Sequence, residues 1–183
     1  MNKYEQTKLV QVALYVLQKT GGIDYYHLFK ILYFAELKHL AKWGSSITSD
    51  SFYALEYGPV PTCLYDAVKG KDIPGMNLRK LFSDKVKFAG DDAPNVLLGK
   101  AAADMGYLSK SEIEALDASI RENANLTFGE LKNKSHDSAW DEAYHRVNGS
   151  NVISPVSMAR ASGADDATLE YIQEQMELEN ALA

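Results

Sequence analysis

The run Leu28-Phe29-Lys30-Ile31-Leu32-Tyr33-Phe34-Ala35, broken only by Lys30, constrains this chain more than any other stretch. Asp24 stands before it as a helix N-cap and Gly44 after Trp43 as a stop, so the spacing predicts a helix from Asp24 through Trp43. A helix apolar on nearly every side must be surrounded by other elements, so it is expected at the centre of the core. Lys30, Lys38 and Lys42 are expected to reach or snorkel towards solvent. Upstream, Leu9, Val12, Ala13, Val16 and Leu17 recur at helical spacing until Gly21-Gly22.

Beyond Gly44 the helical period disappears. Ser45 to Tyr57 turns from polar to β-prone and meets Gly58-Pro59-Val60-Pro61, which reads as a short hairpin. Two prolines one residue apart remove two backbone donors, so that stretch is extended and cannot be a central strand. A helix from Thr62 to Lys69 ends at Gly70, and residues 71–107 are punctuated by Pro74, Gly75, Gly90, Pro94 and Gly99. Within them Lys85–Phe88 and Asn95–Leu98 are open to strand or loop. Ser109-x-x-Glu112 and Thr127-x-x-Glu130 have capping-box form, and Ser154-Pro155 opens a further helix. The last helix, from about Asp166, carries Leu169, Ile172 and Met176 on one face and is expected to fray at its end. The fold class is α+β and predominantly α-helical: one compact domain over residues 1–160 with a small antiparallel hairpin, and an acidic helical tail over 161–183.

Charge and composition then narrow the function. With 46% hydrophobic and 24% charged residues over 183, the chain can bury a core without metal or disulfide staples. Cys63 is its one cysteine, which rules out an internal disulfide and suits a reducing compartment. No apolar stretch has the length of a membrane span, and a cytoplasmic location is expected. The net charge of −6 resides wholly beyond Arg160, in Asp165, Asp166, Glu170, Glu174, Glu177 and Glu179. A neutral body with an acidic tail is a poor match to nucleic acid, whose binding draws on phosphate neutralisation.

No nucleophile elbow, phosphate loop or dinucleotide fingerprint is present, so no catalytic residue is assigned. Cys63 is read as half-buried and structural. Glu36-x-x-His39 and Glu142-x-x-His145 have the spacing of di-metal carboxylate bundles, but the broken middle of the chain denies it four long helices; no metal or cofactor is expected. The two N-terminal helices joined by a short glycine turn resemble half of a helix-turn-helix, which keeps a DNA-binding regulator as the alternative. The remaining signal is aromatic: Phe52, Tyr53, Tyr57 and Tyr65 surround Gly58–Pro61, and His136 and Trp140 flank Asp137-Ser138-Ala139. Such residues either pack the hairpin, with His136 hydrogen-bonded in the core, or edge a protein-binding surface.

An ordered series runs through most of the chain. It comprises Leu32–Glu36 with Tyr33, His39-Leu40, Lys42-Trp43-Gly44, Tyr57–Pro61, Leu64-Tyr65-Asp66, Leu108-Ser109, Glu112, Leu116-Asp117, Leu131, Ser135-His136-Asp137 and Ala139-Trp140. The series resembles the Panacea domain, the SocA-like antitoxin family also described as phage-associated, over about residues 5 to 155. The resemblance implies a helical fold with a small hairpin and a bacterial antitoxin that neutralises a neighbouring toxin by direct contact. It also implies, as in at least one branch of the family, an adaptor role towards an ATP-dependent protease, and no catalytic residues. Candidate toxin contacts are His39, Trp43, Tyr57, Pro59, Val60, Pro61 and Tyr65. Tyr33, Glu36, Gly58, Asp66, His136 and Trp140 are expected to be structural.

Overall fold

The computed structural model describes residues 1–182. Helix α1 (Lys3–Thr20) begins with a capping box between Asn2 and Glu5 and ends where Gly21 enters the left-handed region. A two-residue strand β1 (Ile23–Asp24) leads into α2 (Tyr25–Trp43), whose Asp24 cap accepts the His27 amide and whose Gly44 stop is also left-handed. Helix α2 is the axis of the molecule: Leu28, Ile31, Tyr33, Ala35 and Leu40 are removed from water. Lys30 is fully buried with them, against expectation. Its Nζ turns inward to donate to Pro59 O at 2.7 Å and lies 4.6 Å from the Tyr26 ring centre.

The expected hairpin forms from β2 (Phe52–Leu55) and β3 (Gly58–Pro61), paired antiparallel with Tyr53 opposite Val60. Helix α3 (Thr62–Val68) follows directly. Pro61 offers it no side-chain cap, and Asp50 supplies one from a distance, accepting the Cys63 and Leu64 amides at 3.0 and 2.9 Å. Cys63 is half-buried here, and burial together with the Asp50 carboxylate pushes its thiol up to about 12.

The middle region holds more order than its punctuation suggests. Helix α4 (Leu78–Lys85) buries Leu78 and Phe82, and β4 (Val86–Phe88) and β5 (Val96–Gly99) join β1 in a second antiparallel sheet of order β1-β5-β4. A short 3-10 turn (Met105–Tyr107) precedes α5 (Lys110–Asn123), which packs along α2 and donates Ser119 Oγ to Ile31 O. Both expected capping boxes are formed, at Ser109 for α5 and at Thr127 for α6 (Phe128–Ser135). Helices α7 (Ser138–Tyr144) and α8 (Pro155–Ala161) close the far side. The last helix, α9 (Asp166–Leu182), is helical through Leu182. It is anchored by buried Ile172 and by Tyr171, which lies where a side chain on Gly44 would have to go.

Candidate functional site

The residues of the ordered series mostly hold the hairpin to the helices. Tyr33 Oη donates to the Asp137 carboxylate at 2.9 Å while Asp137 caps α7 through the Ala139 and Trp140 amides. Trp140 Nε1 donates to Leu55 O at 2.9 Å, and the His136 ring stacks on the indole at 3.6 Å. His136 Nε2 is buried without a hydrogen-bond partner among the described residues, while the ring is also held by a hydrogen bond with the Glu56 backbone. Burial and the nearby Lys132 and Lys30 lower its pKa. Gly58 (φ 94°) leaves room for the Lys30 stem and Ser135 Oγ. Asp66 pairs with Lys71 at 3.3 Å. Glu36 accepts the Ile47 and Thr48 amides and the Thr48 hydroxyl at 2.7–2.8 Å, which folds the loop after α2.

The two Glu-x-x-His pairs are used separately. His39 Nδ1 lies 2.6 Å from Ser45 O and Nε2 3.1 Å from Ser111 Oγ. Glu142 accepts the Ser157 hydroxyl on α8, and His145 sits exposed beside Asp141. Among the described residues, no three His, Cys, Asp or Glu side chains gather as they would around an ion. Helix α2, the one a helix-turn-helix reading would lay in DNA, is covered by α5, α8 and the hairpin.

The candidate contact residues divide into two places. His39, Pro59 and Pro61 are buried and present no side-chain surface. Trp43, half exposed, stands at the C-terminal end of α2 with Lys42 over its ring. Tyr57, Val60 and Tyr65 stand at the other end, where they line an open groove. His39 and Tyr26 are thirteen residues apart on α2, about 20 Å along the axis.

That groove holds about 600 Å³ and is walled by two aromatic chains. On one side Tyr26, Phe128 and Tyr57 follow one another at centroid separations of 4.4 and 5.8 Å. On the other, Tyr25, Phe29 and Tyr65 do so at 5.8 and 6.1 Å. Val60 and Leu55 of the hairpin, with Asp24, His27 and Asn95, also line it. Tyr26 Oη donates to Tyr57 O at 3.0 Å, tying the helix to the hairpin turn. Burial, aided by Asp24, pushes that phenol up to about 12, so it remains a donor at any physiological pH. Leu55 and Tyr57 of the hairpin and Phe128 of α6 meet here 42%, 52% and 49% exposed.

Of the groove's members, Tyr25, Tyr26, Phe29 and Phe128 escaped the sequence reading. Tyr25 and Tyr26 open α2 and read as the start of a core helix. Phe128 is the first residue of α6 after the Thr127 cap and is left 49% exposed there.

A mainly helical α+β scaffold, held together by buried polar contacts, bears this apolar groove at the N-terminal end of α2. The family model described as antitoxin SocA-like, Panacea domain, matches residues 28–141, more than half of the chain, and the chain belongs to that family. No curated protein and no solved structure matches it. No helix among the described residues is long and apolar enough to cross a membrane.

Proposed function

We propose that this protein neutralises a toxin encoded beside it by direct protein–protein contact in the bacterial cytoplasm, with the aromatic groove at the N-terminal end of α2 as the contact surface. It acts by binding and performs no catalysis. The observation that carries this reading is the convergence of Leu55, Tyr57 and Phe128 around one concavity in a member of an antitoxin family. Few residues dominate a typical interface, and they are commonly aromatic anchors surrounded by polar rims. A stable complex buries about 800 Å² on each partner, so the groove supplies the anchor and the surfaces around it the remainder. Transfer of the captured toxin to an ATP-dependent protease would be a second step on a surface the toxin leaves free.

Expression of the neighbouring reading frame, alone and together with this chain, tests the role. Growth should stop with the neighbour alone and resume when both are made, and Tyr57→Asp should weaken the rescue. A neighbour that is harmless alone, or lethal in both cases, defeats the antitoxin role for that pair. Toxin half-life with and without this chain separates delivery for degradation from simple sequestration.

A further inference from the structure

The loop that follows α7 holds the one asparagine–glycine step in the chain, Asn148-Gly149. Both residues are exposed, and Val147 before them is 92% exposed. Gly149 has φ 116°, a conformation that suits a residue without a Cβ, so its nitrogen carries no neighbouring side chain of its own. Among the described residues neither the Asn148 carboxamide nor the Gly149 amide has a hydrogen-bond partner. No other asparagine precedes a glycine. Asn95 and Asn125 are also exposed, but the amides that follow them, of Val96 and Leu126, are donated to Ala93 O and Asn123 O. Asn123 is buried with its carboxamide on Ser119 O, and Asn151 holds Ala54 O with its own.

These conditions favour one reaction. The Gly149 nitrogen, once it has given its proton to hydroxide, attacks Asn148 Cγ. The N–Cγ bond forms, the Cγ–Nδ2 bond breaks, and the nitrogen leaves as ammonia with a proton from water. The five-membered succinimide that results then adds water. Opening at Cγ gives an aspartate. Opening at the main-chain carbonyl of residue 148 gives an iso-aspartyl link, in which the chain runs through Cβ and Cγ and the α-carboxylate hangs free. A bulky following side chain obstructs the attack, and an amide already donated to a carbonyl resists it.

We infer that Asn148 is a site of spontaneous deamidation in the folded protein, and that its iso-aspartyl product loosens the outer edge of β2. The loop is clasped at its base: Arg146 Nη1 donates to Ser150 O at 2.8 Å and to Val152 O at 3.4 Å. The next residues close β2, through Ala54 N to Asn151 O at 2.9 Å and Ile153 N to Phe52 O at 2.8 Å. An iso-aspartyl link inserts a methylene into the main chain inside that clasp. It also sets a carboxylate two residues from a guanidinium that bonds anions more strongly than neutral carbonyls. Both changes act against the contacts that hold segment 151–153 on the strand. This inference is independent of the antitoxin role.

The test incubates the full, folded chain at mildly alkaline pH in heavy-oxygen water and compares its tryptic peptides by mass spectrometry. The label separates acid formed during incubation from acid formed during digestion. Labelled acid should accumulate at residue 148 in both linkages, faster at higher pH, and ahead of Asn95, Asn125 and Asn151. Asn148→Gln, which would have to close a larger ring, should abolish it. In the acidic fraction of the aged protein, isolated by ion exchange, the Ala54 and Ile153 amides should exchange with solvent several-fold faster than in fresh protein. Asn148→Asp adds the charge without lengthening the main chain and should exchange more slowly than that fraction. No labelled acid at residue 148, or acid forming there no faster than at Asn95 and Asn125, would overturn the modification site. Unchanged exchange at Ala54 and Ile153 in the acidic fraction would overturn the effect on β2.

Discussion

Lys30 and Glu36 both lie on α2 out of reach of water, and among the described residues neither has an oppositely charged partner. Burial pulls the Lys30 ammonium down from 10.5 to about 7. Burial also pushes the Glu36 carboxyl up from 4.5 to about 7, outweighing three donated hydrogen bonds that favour the anion. The two act on stability in opposite pH windows. The unfolded chain holds the Lys30 proton between pH 7 and 10.5 while the folded chain has released it, so this group makes stability rise with pH across that span. Between pH 4.5 and 7 the folded chain holds the Glu36 proton and the unfolded chain does not, so Glu36 makes stability fall with rising pH. Each group contributes a slope of at most about 1.4 kcal/mol per pH unit. Urea midpoints against pH should therefore show the wild type losing its rise above neutrality in Lys30→Met, and its fall below neutrality in Glu36→Gln. Curves that stay parallel to wild type would show that neither proton is linked to folding. Glu36→Ala differs in kind. It strands the Ile47 and Thr48 amides and should cost about 2–4 kcal/mol at any pH.

At the level of elements, those bounded by their own local chemistry were legible and those bounded by distant partners were not. The Asp24 cap and Gly44 stop define α2, and the boxes at Ser109 and Thr127 start α5 and α6 at the residues expected. Strand β1 is two residues long and exists only because Ile23 and Asp24 pair with Leu97 and Val96, far along the chain. Helix α4 is short, has Asn77 before it without a side-chain cap bond, and buries only Leu78 and Phe82. The inward turn of Lys30 was equally hidden, since its acceptor comes from the hairpin. The hairpin itself depends on a glycine that the sequence marks, and the structure supplies the reason. Gly58 has φ 94°, and a Cβ there would run into Ser135 Oγ and the Lys30 stem, both deep in the core. Gly75 also has positive φ (76°) but has open space around it. Gly75→Ala should therefore cost about 1 kcal/mol, and Gly58→Ala clearly more, about 2–4 kcal/mol, because steric conflict adds to backbone strain. Equal urea midpoints for the two variants would show that Lys30 and Ser135 move aside without cost.

Over the whole molecule, the same long α2 that separates Trp43 from Tyr57 also separates the aromatic groove from the acidic last helix. The aromatic groove lies at its N-terminal end, and α9 crosses near its C-terminal end, where Tyr171 packs on Gly44. Glu170, Glu174, Glu177 and Glu179 are exposed on α9, and none has an ion-pair partner among the described residues. Glu170 and Glu174 repel each other one turn apart, and the later acids oppose the helix dipole in a final turn that has no basic residue. This arrangement costs the free protein a few tenths of a kcal/mol per pair, and a basic partner surface would relieve it. Replacing Glu170, Glu174 and Glu177 with Gln should then have effects of opposite sign on two measurements. The free protein should unfold at a slightly higher temperature. Association with the toxin found by co-expression should slow several-fold at low salt, with little change in dissociation, because exposed rim charges act mainly on encounter. The difference from wild type should vanish at high salt, where screening is complete within a few ångströms. An on-rate that is indifferent to both ionic strength and the triple substitution would mean that α9 faces away from the approaching toxin.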